Sequence, residues 1–194
     1  MLLQPAETYD ALYRGFRWRL PARFNIGTAV SDRWAAVEPD RVALIEHRDE
    51  GAPATMTFGV LARQSDRLAA ALAARGEARG DRVALLLPQG FEAAVGHAAI
   101  YKLGAIALPL ALLFGVEALE YRLQAAGVRA VLTTEAGAAK LKRIASRLPL
   151  LELIVSVDGD DGAIDGSGTN GRSHYTANGV AGIESDFHAG VLGQ

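Results

Sequence analysis

Tyr101-Lys-Leu-Gly-Ala-Ile-Ala-Leu-Pro-Leu110, succeeded closely by Leu113-Phe-Gly-Val-Glu-Ala-Leu-Glu-Tyr-Arg-Leu123, decides how this chain folds. The first stretch reads as the end of a helix and then a buried strand, and the second as the start of another helix. Gly104 suits the left-handed position just past a helix end, and Lys102 complements the carbonyl dipole of the last turn. Ala105 to Leu108 is a short apolar run of the kind covered on both faces, and Pro109 stops it. Val116, Leu119 and Leu123 then recur on one helical stripe. The stretch is built for packing, and no residue in it can carry chemistry.

Upstream, Phe91 to Leu103 reads as the helix that Gly104 ends, with Phe91, Val95, Ala98, Ala99 and Leu103 inward. Val83-Ala-Leu-Leu-Leu87 is a continuous apolar run, again typical of a strand buried on both faces. Thr57 caps a helix running to Arg75, with Leu61, Leu68 and Leu72 on one face and Gly76 at its end. Ala54 to Phe58 pairs as a hairpin with Arg41 to His47, across a turn containing Asp49, Glu50, Gly51 and Pro53. A helix is predicted from Thr28, its N-cap, to Val37, with Trp34 facing the core and Pro39 marking the stop. Downstream, Val128 to Thr133 is a strand, Glu135 to Arg147 a helix and Glu152 to Val157 a strand. Strands alternating with helices in this way predict an α/β class with a mainly parallel sheet and flanking helices.

Composition bounds the function. In 194 residues, half are hydrophobic and 22% charged, which is ordinary for one or two globular domains. The net charge of −2 gives no electrostatic reason to expect nucleic acid. The absence of cysteine excludes disulfides, thiolate nucleophiles and cysteine metal sites. The uncharged run from Leu103 to Val116 is too short for a membrane span and is broken by Gly104, Pro109 and Gly115. The first residues lack a basic region leading into an apolar run, so no signal peptide is expected. Lys102, Lys140 and Lys142 are the only lysines among many arginines. That bias points to a GC-rich, bacterial genome and a cytoplasmic protein.

The chain divides into three segments. Residues 1–27 form an N-terminal arm, in which Phe16, Trp18 and Phe24 are expected to pack on the domain while Arg14, Arg17 and Arg19 stay wet. Residues 28–157 form the α/β unit. Residues 158–194 show little periodicity; seven glycines fall in the last 29 residues, which predicts an irregular or disordered tail.

No catalytic, cofactor-binding or metal-binding residue is assigned. Gly-x-Gly-x-x-Gly, Walker A and Gly-x-Ser-x-Gly patterns are missing. His47, His97, His174 and His188 lack metal-ligand spacing, and Asp186-Phe-His188 with His174 has no further ligands. Ser167-Gly-Thr-Asn-Gly171 has the small residues of a phosphate loop. It comes after Asp160-Asp-Gly-Ala-Ile-Asp165 instead of a buried strand, so it reads as chance.

With the elements placed, a family resemblance emerges. Thr57-Phe-Gly-Val-Leu61 resembles a helix start of the adenylate-forming superfamily, and Gly80-Asp-Arg-Val-Ala-Leu-Leu-Leu-Pro88 its next strand. Lys102-x-Gly104 with Pro109 resembles its Lys-x-Gly-x-x-x-x-Pro motif. Leu113-Phe-Gly115 with Glu117 to Leu123 is similar to the branch holding medium-chain and acetyl-type acyl-CoA synthetases. So are Phe16-Arg-Trp-Arg-Leu-Pro, Phe24-Asn25 and Asp32-Arg-Trp-Ala35. The match covers residues 9 to 160.

The resemblance implies an N-terminal fragment of an enzyme that joins a carboxylic acid to CoA through an acyl-adenylate, using ATP and Mg2+. Motifs for the phosphate loop, adenine segment, ribose-binding Asp, magnesium-binding Glu and C-terminal lysine have no matching positions here. No cofactor is therefore expected for this chain alone. The break near Asp165 is read as a truncated or frameshifted gene. The alternative is a genuine short protein, a non-catalytic α/β binding or scaffolding module. An unrelated doubly wound nucleotide-binding domain is a third reading. A sheet with an uncovered face and a free edge is expected to favour self-association.

Overall fold

A computed structural model describes residues 5–18, 21–47 and 51–157, together with the backbone of 176–179. The arm contributes α1, Tyr9–Gly15, capped by Thr8, whose hydroxyl accepts the Ala11 N–H at 3.1 Å. This short helix buries no residue. The expected packing of the arm is corrected for Trp18, 75% exposed, and Phe24, 69% exposed; Phe16 is half-buried and meets Trp18 edge-on. Arg19 lies outside the described residues.

A π turn, Thr28–Asp32, leads into α2, Arg33–Val37. Thr28 is not the cap. Asn25 is, since its side chain accepts the Thr28 N–H and its carbonyl the Ala29 N–H. The wider π turn offsets the phase of α2, so Trp34 sits at the surface, not in the core. There it stacks on Phe58 at 5.6 Å and carries the Arg41 guanidinium at 5.0 Å.

A separate antiparallel hairpin, β1 Val42–Glu46 with β2 Ala54–Thr57, precedes the main unit. Asp49 and Glu50 of its turn lie outside the described residues. Then come α3 Phe58–Ala74, β3 Arg82–Leu86, α4 Phe91–Leu103, β4 Ile106–Pro109, α5 Val116–Ala126 and β5 Ala130–Thr133. The chain continues through α6 Glu135–Lys142, a 3-10 turn at Ala145–Arg147, β6 Leu153–Ser156 and β7 Thr176–Gly179. Thr57 caps α3 through the Val60 N–H, and Gly104 ends α4 with φ +74°. The helix expected to run to Arg147 stops at Lys142.

The sheet order is β4-β3-β5-β6-β7. The first four strands are parallel, and β7 closes the far edge antiparallel to β6. β7 corrects the reading of 158–194 as wholly irregular; the other residues of that segment lie outside the described set.

Alternate residues of the central strands serve two cores, as the two-residue strand repeat demands. Val83, Leu85, Ala130, Leu132, Leu153 and Val155 face α3 and α4. Ala84, Leu86, Val131 and Ile154 face Leu119 and Leu123 of α5 and Ala138 and Leu141 of α6. The expectation of an uncovered sheet face is therefore corrected for β3, β5 and β6. The reading of Ala105 to Leu108 as doubly buried is corrected too. β4 is an edge strand, and Ile106 is 53% exposed.

Candidate functional site

The topology singles out one place for a ligand. β3 feeds α4 on one face of the sheet, whereas its neighbour β5 feeds α6 on the other. A crevice opens where adjacent strands send their connections in opposite directions, at the carboxyl ends. Its rim is Leu87 to Gly90 after β3 and Thr133 to Glu135 at the end of β5, flanked by Leu110 to Gly115 after β4.

The polar groups of this rim hold the fold. The buried Thr133 hydroxyl donates to the Leu86 carbonyl at 3.0 Å, tying β5 to β3. Thr134 caps α6 by accepting the Gly137 N–H at 3.2 Å. Lys140 donates to the Leu112 carbonyl at 3.0 Å, and Arg122 lies 4.1 Å over the Phe114 ring. At the start of α4, Gly90 provides no side-chain cap; Glu46 reaches over from β1 and accepts the Phe91 N–H at 3.1 Å. A helix start is where an anion would bind, and here a carboxylate of the chain already occupies it. The first turns of α5 and α6 carry Glu117 and Glu135. These residues do not fit a nucleotide phosphate, and no group of His, Asp and Glu among the described residues could hold a metal ion.

The two described histidines sit on different elements. His47 is exposed beyond β1, and His97 lies within α4 beside Tyr101 at 5.6 Å. Burial holds the His97 imidazole below its ordinary pKa. Ser167 to Gly171, His174, Asp186 and His188 lie outside the described residues.

The motif lysine has a role that spacing did not reveal. The Lys102 side chain is 7% exposed, and its ammonium donates to Asp32 at 2.5 Å, Asp66 at 2.6 Å and the Ala62 carbonyl at 3.1 Å. Asn25 donates to the Lys102 carbonyl at 2.9 Å. One lysine thus clamps the π turn and α3 to the end of α4. These partners are distant in sequence, which is why a local reading saw only the helix dipole.

The profile of the AMP-binding enzyme family matches residues 31–179, spanning the hairpin and all five strands of the sheet. The chain belongs to that family. Acetyl-coenzyme A synthetase 2 of Zygosaccharomyces bailii is 38% identical over 131 residues, covering 66% of this chain and 19% of that protein. The crystal structure of Brucella canis acyl-CoA synthetase superposes with a TM-score of 0.69 at 25% identity, covering 82% of this chain and 30% of the other. The N-terminal domain of FACL13 from Mycobacterium tuberculosis matches with a TM-score of 0.57 at 29% identity, covering 64% and 31%. The chain spans about a fifth of the length of the curated relatives it matches. Membership excludes the reading as an unrelated nucleotide-binding domain. No helix among the described residues is long and apolar enough to cross a membrane.

Proposed function

We propose that this chain is the N-terminal α/β portion of an ATP-dependent acyl-CoA ligase of the medium-chain type, and that alone it does not form acyl-adenylate. The family match over residues 31–179 carries the first half of the proposal. The stretches Leu113-Phe-Gly115 and Glu117 to Leu123 favour the branch that holds medium-chain and acetyl-type synthetases. The whole enzyme would take a carboxylic acid, ATP, Mg2+ and CoA, and would work in the cytoplasm.

The rim chemistry supports inactivity of the isolated chain. Adenylation builds charge on a phosphoryl group, and preorganised donors or cations must meet that charge. Glu46 already takes the α4 start, and the α5 and α6 starts carry acidic residues. The Glu46 and Glu117 carboxylates oppose an incoming triphosphate. Pyrophosphate release by the purified chain, supplied with ATP, Mg2+, CoA and either octanoate or acetate, is the test. No acid-dependent release is expected; release above the enzyme-free rate would overturn the reading.

The second reading is a non-catalytic α/β binding or scaffolding module of the same fold. It is favoured by the coverage of β3, β5 and β6 on both faces, which suits a unit that folds without further chain. Under either reading the free edge of β4 is the proposed place of self-association.

A further inference from the structure

The turn between α3 and β3 puts a carboxylate where its backbone geometry favours an apolar side chain. α3 ends in a paired closure: the Gly76 N–H bonds the Ala73 carbonyl at 3.0 Å and the Glu77 N–H bonds the Leu72 carbonyl at 3.1 Å. Gly76 takes the left-handed conformation, φ +92°, that this closure requires. The residue after that glycine folds back under the helix, and in such closures it commonly makes a hydrophobic contact with the last turns. Here that residue is Glu77. It is 3% exposed, and neither of its carboxylate oxygens has a hydrogen-bond partner.

The groups facing Glu77 come from the starts of three strands. Asp81 and Arg82 stand at the start of β3, Arg129 just before β5 and Glu152 just before β6. Arg82 is committed to carbonyls: its Nε donates to Ala126 at 3.0 Å and its Nη2 to Gly127 at 2.6 Å. Arg129 bridges the other two carboxylates, Asp81 at 3.4 Å and Glu152 at 2.6 Å. Its third nitrogen, Nε, is buried and unpartnered. Three carboxylates therefore share one guanidinium that is free to serve them. The most buried of the three is the one left out.

We propose that Glu77 is a proton-operated latch on the amino-terminal rim of the sheet. With a proton on its carboxyl, Glu77 fills the apolar position of the turn, and Arg129 is left to join β3 and β6 through Asp81 and Glu152. When the proton leaves to solvent, a buried charge appears, and the cation that acts on it most is the Arg129 guanidinium. The guanidinium is then drawn between three carboxylates, and the rim loosens. Burial pushes the Glu77 carboxyl above its ordinary value; Arg129 pulls it back, while Asp81 and Glu152 add to the rise.

The latch sets the direction in which pH acts on stability. A carboxyl that holds its proton more tightly in the folded chain contributes stability below its unfolded pKa, about 4.3 for glutamate. That contribution is lost as pH rises through the folded value. Glu77 thus opposes the usual carboxylate trend, in which acid destabilises.

Denaturant unfolding of the full chain, tracked from about pH 4 to about pH 8, tests this, with Glu77→Gln and Glu77→Leu beside the parent. Both variants should be more stable than the parent at the upper end, by about tenfold in the unfolding constant for each pH unit that the fold raises the carboxyl. The gap should close towards the lower end. Amide exchange at Arg129 and Glu152, corrected for its intrinsic pH dependence, should quicken with pH in the parent and not in Glu77→Gln. Parallel stability curves would overturn the proposal. So would a Glu77 carboxyl carbon that titrates at or below the ordinary glutamate value in the parent chain, a measurement that needs no variant.

Discussion

The two rims of the sheet are built from different chemistry. At the amino-terminal rim, charges are gathered into clusters: Lys102 with Asp32 and Asp66, and Arg129 with Asp81 and Glu152. At the carboxyl-terminal rim the joints are single bonds: the hydroxyls of Thr133 and Thr134, the Glu46 carboxylate on the Phe91 N–H and the Lys140 ammonium on the Leu112 carbonyl. Open α/β sheets bind ligands at the carboxyl ends. In this chain the strongly coupled charge lies at the opposite end, where it holds strand starts and helix ends together.

If that contrast is right, the amino-terminal rim should dominate stability. The largest loss is expected for Arg129→Met, about 3 kcal/mol, because Asp81 is left mostly buried without its cation beside the still more buried Glu77. Lys102→Met comes next at about 2 kcal/mol: it removes three charged hydrogen bonds, but Asp66 keeps access to water. The smallest effect is expected at the other rim. Glu46→Gln keeps an acceptor for the Phe91 N–H and loses only the charge at the α4 start, about 0.5 kcal/mol. Urea unfolding of the three variants at neutral pH ranks them. A cost at Glu46 equal to that at Arg129 would erase the distinction between the rims.

What could be read from the sequence depended on how far each signal reached along the chain. α3, α4 and α5 were legible because caps and apolar stripes are local: Thr57, Gly104 and the Leu119–Leu123 pair each act within a turn or two. β3 and β4 read alike as apolar runs, yet one is central and the other an edge, since a strand's place in a sheet is set by pairing with distant residues. α6 stops at Lys142 without a glycine or proline to announce it. Thr176-Ala-Asn-Gly179 has no apolar alternation to mark it as a strand, and its pairing with β6 supplies the structure. The family was legible from motifs at the correct spacing. The carboxyl-end switch point was not, because it exists only once β3 and β5 lie side by side. The same holds for the Glu77 cluster, which draws on four segments.

Pro109 in β4 carries a consequence for crowded solutions of this chain. Ile106 and Leu110 turn their N–H groups inward, to Asp81 at 2.8 Å and Leu85 at 2.9 Å, and alternation sends Leu108 the same way. The outward positions are Ala107 and Pro109, and proline has no N–H to give. The open margin of the sheet therefore offers a newcomer a single amide donor, at Ala107. A neighbouring molecule can touch the side chains of Ile106 and the nearby Leu113, but it cannot zip onto the backbone. Contacts made there should come apart on dilution rather than grow into fibres.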